Sequence, residues 1–170
     1  MSDAVRARNW DVFNKIMASQ EAVTIFKPFA LGAGLTELVN AWLDIQSYRV
    51  ALPLDWRIAR SKAVADHIIS TYFDGTSRRP PIIKLPNKRM LQDDVIKGAL
   101  TVDTFVSVET FVMDMLFKHV YPRFMGTPEH RHVLAMIEMA DRLANPVGNN
   151  EQILNAASLL EQSRGVTQRG

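Results

Sequence analysis

Four histidines, two adjacent aspartates and a run of basic residues are the side chains in this sequence best equipped for chemistry. His130 and His132 flank Arg131 just inside a helical stretch, and positions two apart on a helix point to different faces. Neither has a carboxylate one turn further on, so the pair lacks metal-ligand spacing, and both read as surface histidines, as do His67 and His119. Asp93 and Asp94 are neighbours in sequence and diverge around a helix. They read as the N-terminal charges of a short helix, not as a general acid–base pair. No P-loop, GxSxG, HExxH or GxGxxG pattern occurs. Cysteine is absent, which removes a thiolate zinc site, a cysteine nucleophile and a disulfide framework. The basic residues Arg78, Arg79, Lys84, Lys88 and Arg89 form a stretch with no acid between Asp74 and Asp93. Such a stretch favours an anionic membrane surface or an acidic partner by about 1 kcal/mol per well-placed charge, although a solvated loop is the commoner outcome. It has no interleaved aromatics to stack on bases, so nucleic acid is not expected. The residues imply no enzyme active site and no cofactor.

The elements that carry these residues follow from composition and periodicity. The chain has 170 residues, 47% of them apolar, enough for one compact domain or a domain with a helical extension. Charged residues make up 22% with a net charge of +2 and both signs interspersed, which argues against disorder and against a strongly basic nucleic-acid module. No apolar run has the length of a membrane span, and the opening MSDAVRARNW has no signal-peptide core, so the expectation is a soluble, cytoplasmic protein.

Glycine and proline are sparse and fall between periodic segments, as in a helical protein. A first helix is expected from Trp10 to Met17 and a second from Gln20 to Phe29, with a break at Gly32 and Gly34. Leu38, Ala41/Trp42, Ile45, Tyr48 and Leu52 form a third apolar stripe. Asp55 caps a fourth helix with Ala59, Ala63/Val64, Ile68 and Tyr72 on its stripe. Residues 75–90 read as a proline-rich loop, with helix returning over 91–99. Asp103 caps a strongly apolar helix bearing Phe105, Val108, Phe111/Val112, Met115/Leu116 and Val120, apolar on more than one face and so central. Thr127-Pro128 starts another helix, with Val133, Met136/Ile137, Ala140 and Leu143/Ala144 inward, ended by Asn145-Pro146 and Gly148. A last amphipathic helix is expected over 150–162. Met113, Met115, Met125, Met136 and Met139 are placed on apolar faces as gap fillers. No strand of useful length is expected, beyond a brief alternation at Ile82-Ile83. The fold class is all-α.

Three blocks, in this order, carry a family resemblance. IFKPFA is followed by NAWLDIQSYR, then by IIKLPNKRM, and then by ETFVMDMLFKHVYPRFMGTP. Together they resemble the RGS domain, the regulator of G-protein signalling homology module, over residues 10 to 126. The last block, an apolar helix ending in Y-x-R-F, is the most specific. The resemblance implies an RGS-like helical bundle of two lobes at residues 1–126, followed by a C-terminal helical extension at 127–170. It places Tyr121 and Phe124 in or near the core. Arg123 then either faces the docking rim or makes a salt bridge to a neighbouring helix.

RGS domains bind the GTP-loaded α subunit of a heterotrimeric G protein. That subunit carries its own catalytic arginine and glutamine, so the RGS domain supplies no reactive atom. It binds best to the transition-state arrangement of the switch loops and so lowers the barrier. By resemblance the contact positions fall on Glu37, on Leu38 where the family has asparagine, and on Lys84 where it has a second asparagine. Met115 stands for a leucine, His119 for an aspartate, and Arg123 is kept. A register shift of the weakly anchored middle block brings Asn87 to the asparagine position instead. Leucine cannot make the hydrogen bonds of an amide, lysine only donates, and neutral histidine is no anionic acceptor. Each lost contact to a partly buried polar group costs about 1–3 kcal/mol. Two readings follow. One is a GTPase-activating regulator, itself not an enzyme. The other is an RGS-like scaffold without such activity. The basic stretch Arg78 to Arg89 adds weak contact with the inner face of the plasma membrane.

Overall fold

The computed structural model describes residues 3–52, 58–74 and 81–144, all as helices, turns and loops; no strand occurs among the described residues. The chain divides into two compact units, residues 1–127 and 128–170.

In the first unit, α1 covers Asp3–Ala18, beginning a turn and more before the expected Trp10. Its early residues are exposed, and propensity alone extends the helix beyond its apolar stripe. α2 covers Gln20–Gly32. Ser19 caps it in extended geometry, with Oγ accepting from the Ala22 amide at 3.3 Å. Gly34 then turns the chain at φ 71, a left-handed value that suits glycine, and α3 runs over Thr36–Ala51. α4 covers Ile58–Ile68 and continues without a break as a π-helical segment at Ile69–Phe73. The expected cap Asp55 lies outside the described residues. The expected stripe holds at Ile68 and Tyr72, which are buried, but the helix departs from it earlier in α4: Ala63 is exposed, while Ser61 and Ala65 are buried. Small residues on both faces made the two phases hard to separate.

α5 covers Lys88–Lys97, so Asp93 and Asp94 lie in its interior and not in its first turn. α6 covers Val106–His119. Its cap is Phe105, without a side-chain bond, and the Asp103 carbonyl, not its side chain, accepts from the Val106 amide. α7 is the single turn Tyr121–Phe124, closed by Gly126 at φ 82.

The core forms where aromatic residues of α1, α2, α6 and α7 meet. Phe13 packs against Phe26, Phe117 and Tyr121 with ring centroids 5.9, 5.5 and 5.3 Å apart. Phe124 stands edge-on to both Phe26 and Phe29. Tyr121 and Phe124 are thus core residues, as the resemblance implied. α3 packs on α4 and α6, with Tyr48 edge-on to Phe105 at 4.9 Å. α6 therefore contributes to both groupings, which explains its apolar character on several faces.

In the second unit, α8 covers Pro128–Ala144, starting at the expected proline. Val133 is buried, but Leu143 is 77% and Met139 65% exposed, so the stripe is uncovered towards the C-terminal end and Met139 fills no core gap. His132 is exposed, whereas burial pushes the half-buried His130 below the usual histidine value. The helix expected over 150–162 lies outside the described residues.

Candidate protein-docking site

Three anchoring arrangements place the residues singled out by sequence. The first joins the end of α6 to the end of α2. Val120 interrupts α6, Pro122 sits in the first turn of α7, and the fixed proline φ suits that position. Arg123 consequently projects from α7 with Nη1 donating to the Gly32 carbonyl at 3.1 Å. The last carbonyls of a helix lack intrahelical donors and carry the negative end of its dipole, so a guanidinium is a suitable partner. Of the two expectations for Arg123, a rim position or a salt bridge to a neighbouring helix, no salt bridge forms among the described residues; Arg123 makes this backbone contact at a helix end and remains exposed.

Glu37 lies in the first turn of α3, a few residues beyond Gly32, and its Oε2 accepts from Asn40 Nδ2 at 3.5 Å. His119, the last residue of α6, is exposed, and Met115 lies half-buried one turn before it. The Arg123–Gly32 bond joins α7 to the end of α2, and because the end of α3 pairs with the start of α6 through Arg49 and Glu109, Glu37 lies towards the same end of the helices as Met115, His119 and Arg123. Leu38 is not part of that surface. It is 4% exposed and belongs to the core.

The second arrangement fastens the extended stretch 81–87. The π-helical segment ends with the Tyr72 carbonyl accepting from both the Ile82 and Ile83 amides, at 3.0 and 2.9 Å. The same Tyr72 donates its hydroxyl to Asp44 Oδ2 at 2.6 Å, tying the segment to α3. Ile83 is fully buried, so the neighbouring Lys84 is directed outward and is exposed. Asn87 Nδ2 donates to Ser107 Oγ at 3.2 Å in the first turn of α6. Lys84 and Asn87 therefore sit near the beginning of α6, roughly 18 Å along its axis from His119. The two groups of candidates occupy opposite ends of one helix.

The third arrangement holds α6 against α3. Arg49 grips Glu109 through both guanidinium nitrogens, with Nη1–Oε1 at 2.8 Å, and Gln46 Nε2 donates to the same carboxylate at 3.1 Å. This bidentate pair fixes the azimuth of α6, and with it the direction of Met115 and His119.

The basic stretch is less free than its sequence suggests. Arg78 and Arg79 lie outside the described residues. Lys88 donates to the Phe73 carbonyl and stands 3.4 Å from Asp74 Oδ1. Arg89 borders a cleft of about 450 Å³ that Asp66, Asp74 and Asp93 also line. The folded chain therefore brings acids beside Lys88 and Arg89, while Lys84 is exposed. No helix among the described residues is long and apolar enough to cross a membrane.

Sequence reasoning missed Gly32 and Ser107, the partners of Arg123 and Asn87. A backbone carbonyl carries no residue-type signal, and nothing in the sequence announces either. The regulator of G protein signaling domain family model matches residues 12–131, well over half of the chain. No curated protein matches the chain.

Proposed function

Because this chain belongs to the regulator of G protein signaling domain family, we propose that it binds the GTP-loaded α subunit of a heterotrimeric G protein. The contact set is Glu37, Lys84, Met115, His119 and Arg123, with Asn87 holding the stretch that carries Lys84. The observation that carries this reading is the Arg123–Gly32 bond, which unites the α6–α7 end with the turn leading to Glu37. A pre-fixed surface of this kind can favour one switch-loop arrangement without lending a reactive group, since only differential binding lowers a barrier. The domain acts as a regulator and supplies no catalytic atom.

Three contact positions bear on acceleration of hydrolysis. Leu38 is buried, and Lys84 and His119 carry the wrong donor pattern for an amide and a carboxylate. These three positions favour a second reading, an RGS-like docking module that leaves GTP turnover unchanged. Single-turnover GTP hydrolysis by a Gα subunit from the same organism, with and without the domain, separates the readings. Faster hydrolysis that Arg123→Ala abolishes supports regulation. Binding without any rate change supports the docking module, and absence of binding to the GTP-loaded form removes the first proposal.

A further inference from the structure

A second surface lies away from the residues just discussed. A groove of about 830 Å³ runs between α1, the start of α2, α3, α4 and α6. Its α6 wall is Glu109 and Met113, four residues apart and so on one helical face. Met115 and His119 are likewise four apart, but Met113 and Met115 differ by about 200° around the axis. Taken as pairs, the two sets are centred about 120° apart around the axis, so the groove and the proposed Gα contacts use different faces of α6.

The groove has an apolar floor with an exposed end. Trp42 is only 8% exposed, whereas Val50, one face along α3, is 71% exposed. Asn14, Gln20 and Ser47 line the polar side, and none of these side chains hydrogen-bonds another described residue. An amide offers both a donor and an acceptor, the complement of a peptide unit. The charge is uneven. Glu109 is already neutralised by Arg49, while Arg60 on the α4 wall has no carboxylate within ion-pair distance among the described residues. The groove thus presents a positive charge at one wall beside an apolar floor.

We propose that this groove binds an extended peptide segment of a protein partner, carrying an acidic residue beside a large apolar one. The acid pairs with Arg60, the apolar side chain covers Val50 and the Trp42 edge, and the backbone meets Asn14, Gln20 and Ser47. This inference stands whether or not a Gα subunit is the ligand of the other face.

The test is selection from a displayed library of random linear peptides against the full chain. Enriched peptides are then titrated against the wild type, Val50→Arg, Arg60→Glu and, on a different face of α6, Met115→Arg. The expected result is enrichment of sequences pairing Asp or Glu with a large apolar residue. Their affinity falls at least about tenfold in Val50→Arg and in Arg60→Glu, and by less than about twofold in Met115→Arg. Both groove side chains are exposed, so unchanged thermal unfolding of the two variants confirms that lost binding is not lost fold. No enrichment, or enriched peptides indifferent to either groove substitution, overturns the proposal. Self-association of the full chain that Val50→Arg abolishes overturns it too, because the occupant is then a second copy.

Discussion

Arg123 and Gly32 are separated by 91 positions, yet the guanidinium of one donates to the carbonyl of the other at 3.1 Å. The contact is both a helix-end clamp and the support of the proposed docking surface. Arg123→Ala should therefore lower stability by about 0.5–1.5 kcal/mol, the net worth of one hydrogen bond, measured by urea unfolding. Binding of a GTP-loaded Gα subunit should fall by tenfold or more, about 1.4 kcal/mol. A stability loss with unimpaired Gα binding would reduce Arg123 to a clamp.

The pair Arg49 and Glu109 sets the rotation of α6 and can be isolated in a double-mutant cycle. The side chains are 34% and 21% exposed, so solvent screens part of the attraction, and an exposed pair contributes under about 1 kcal/mol. Bidentate geometry and the added Gln46 bond raise the expected coupling to about 1–2 kcal/mol. Glu109→Ala should cost more than Arg49→Ala, because it also strands the Gln46 amide. Coupling indistinguishable from zero would mean that packing alone orients α6.

Alkaline pH offers a test of the two buried tyrosines. Burial raises the Tyr48 hydroxyl, with the Thr104 hydroxyl offsetting part of the effect, and burial also raises Tyr121. Unfolded tyrosine ionises near pH 10, where both folded hydroxyls still hold their protons. The unfolded chain then binds fewer protons than the folded one, so stability is intact below about pH 10 and falls as pH rises towards the folded values. Tyr48→Phe and Tyr121→Phe should flatten this loss. At neutral pH Tyr48→Phe alone should cost about 1 kcal/mol, because its hydroxyl donates to the Thr101 carbonyl at 2.8 Å. Urea midpoints followed across this range decide it; both variants losing stability as steeply as the wild type would refute the assignment.

The all-α class, the central place of α6 and the burial of Tyr121 and Phe124 were legible because each rests on spacing within a single helix. In α4 Ile68 and Tyr72 were legible, but the choice at Ala63, Val64 and Ala65 was not, since they offer nearly equal faces and only the partner helix chooses between them. The π-helical segment at Ile69–Phe73 was hidden for a related reason. Its extra residue is justified by contacts from Asp44, Ile82 and Ile83, all distant in sequence. Arg123 was legible as important, but its partner was not, because the partner is backbone. Leu38 looked like a damaged contact position and lies instead in the core, a distinction that periodicity on α3 contained but family correspondence obscured.

Residues 1–127 form a compact unit that holds the aromatic cluster of Phe13, Phe26, Phe117, Tyr121 and Phe124. Each of those side chains removes a large apolar area from water, and their burial contributes to holding the unit together. The family match also ends by residue 131, before the last turns of α8. Deletion of residues 146–170 should therefore leave a cooperatively folding domain with undiminished far-UV helicity per remaining residue. Phe13→Ala in the same shortened chain should cost about 3–5 kcal/mol, the usual loss for an aromatic side chain emptied from a packed core. Broad loss of helicity on truncation alone would show instead that the C-terminal segment is integral to the fold, and that the RGS unit does not stand without it.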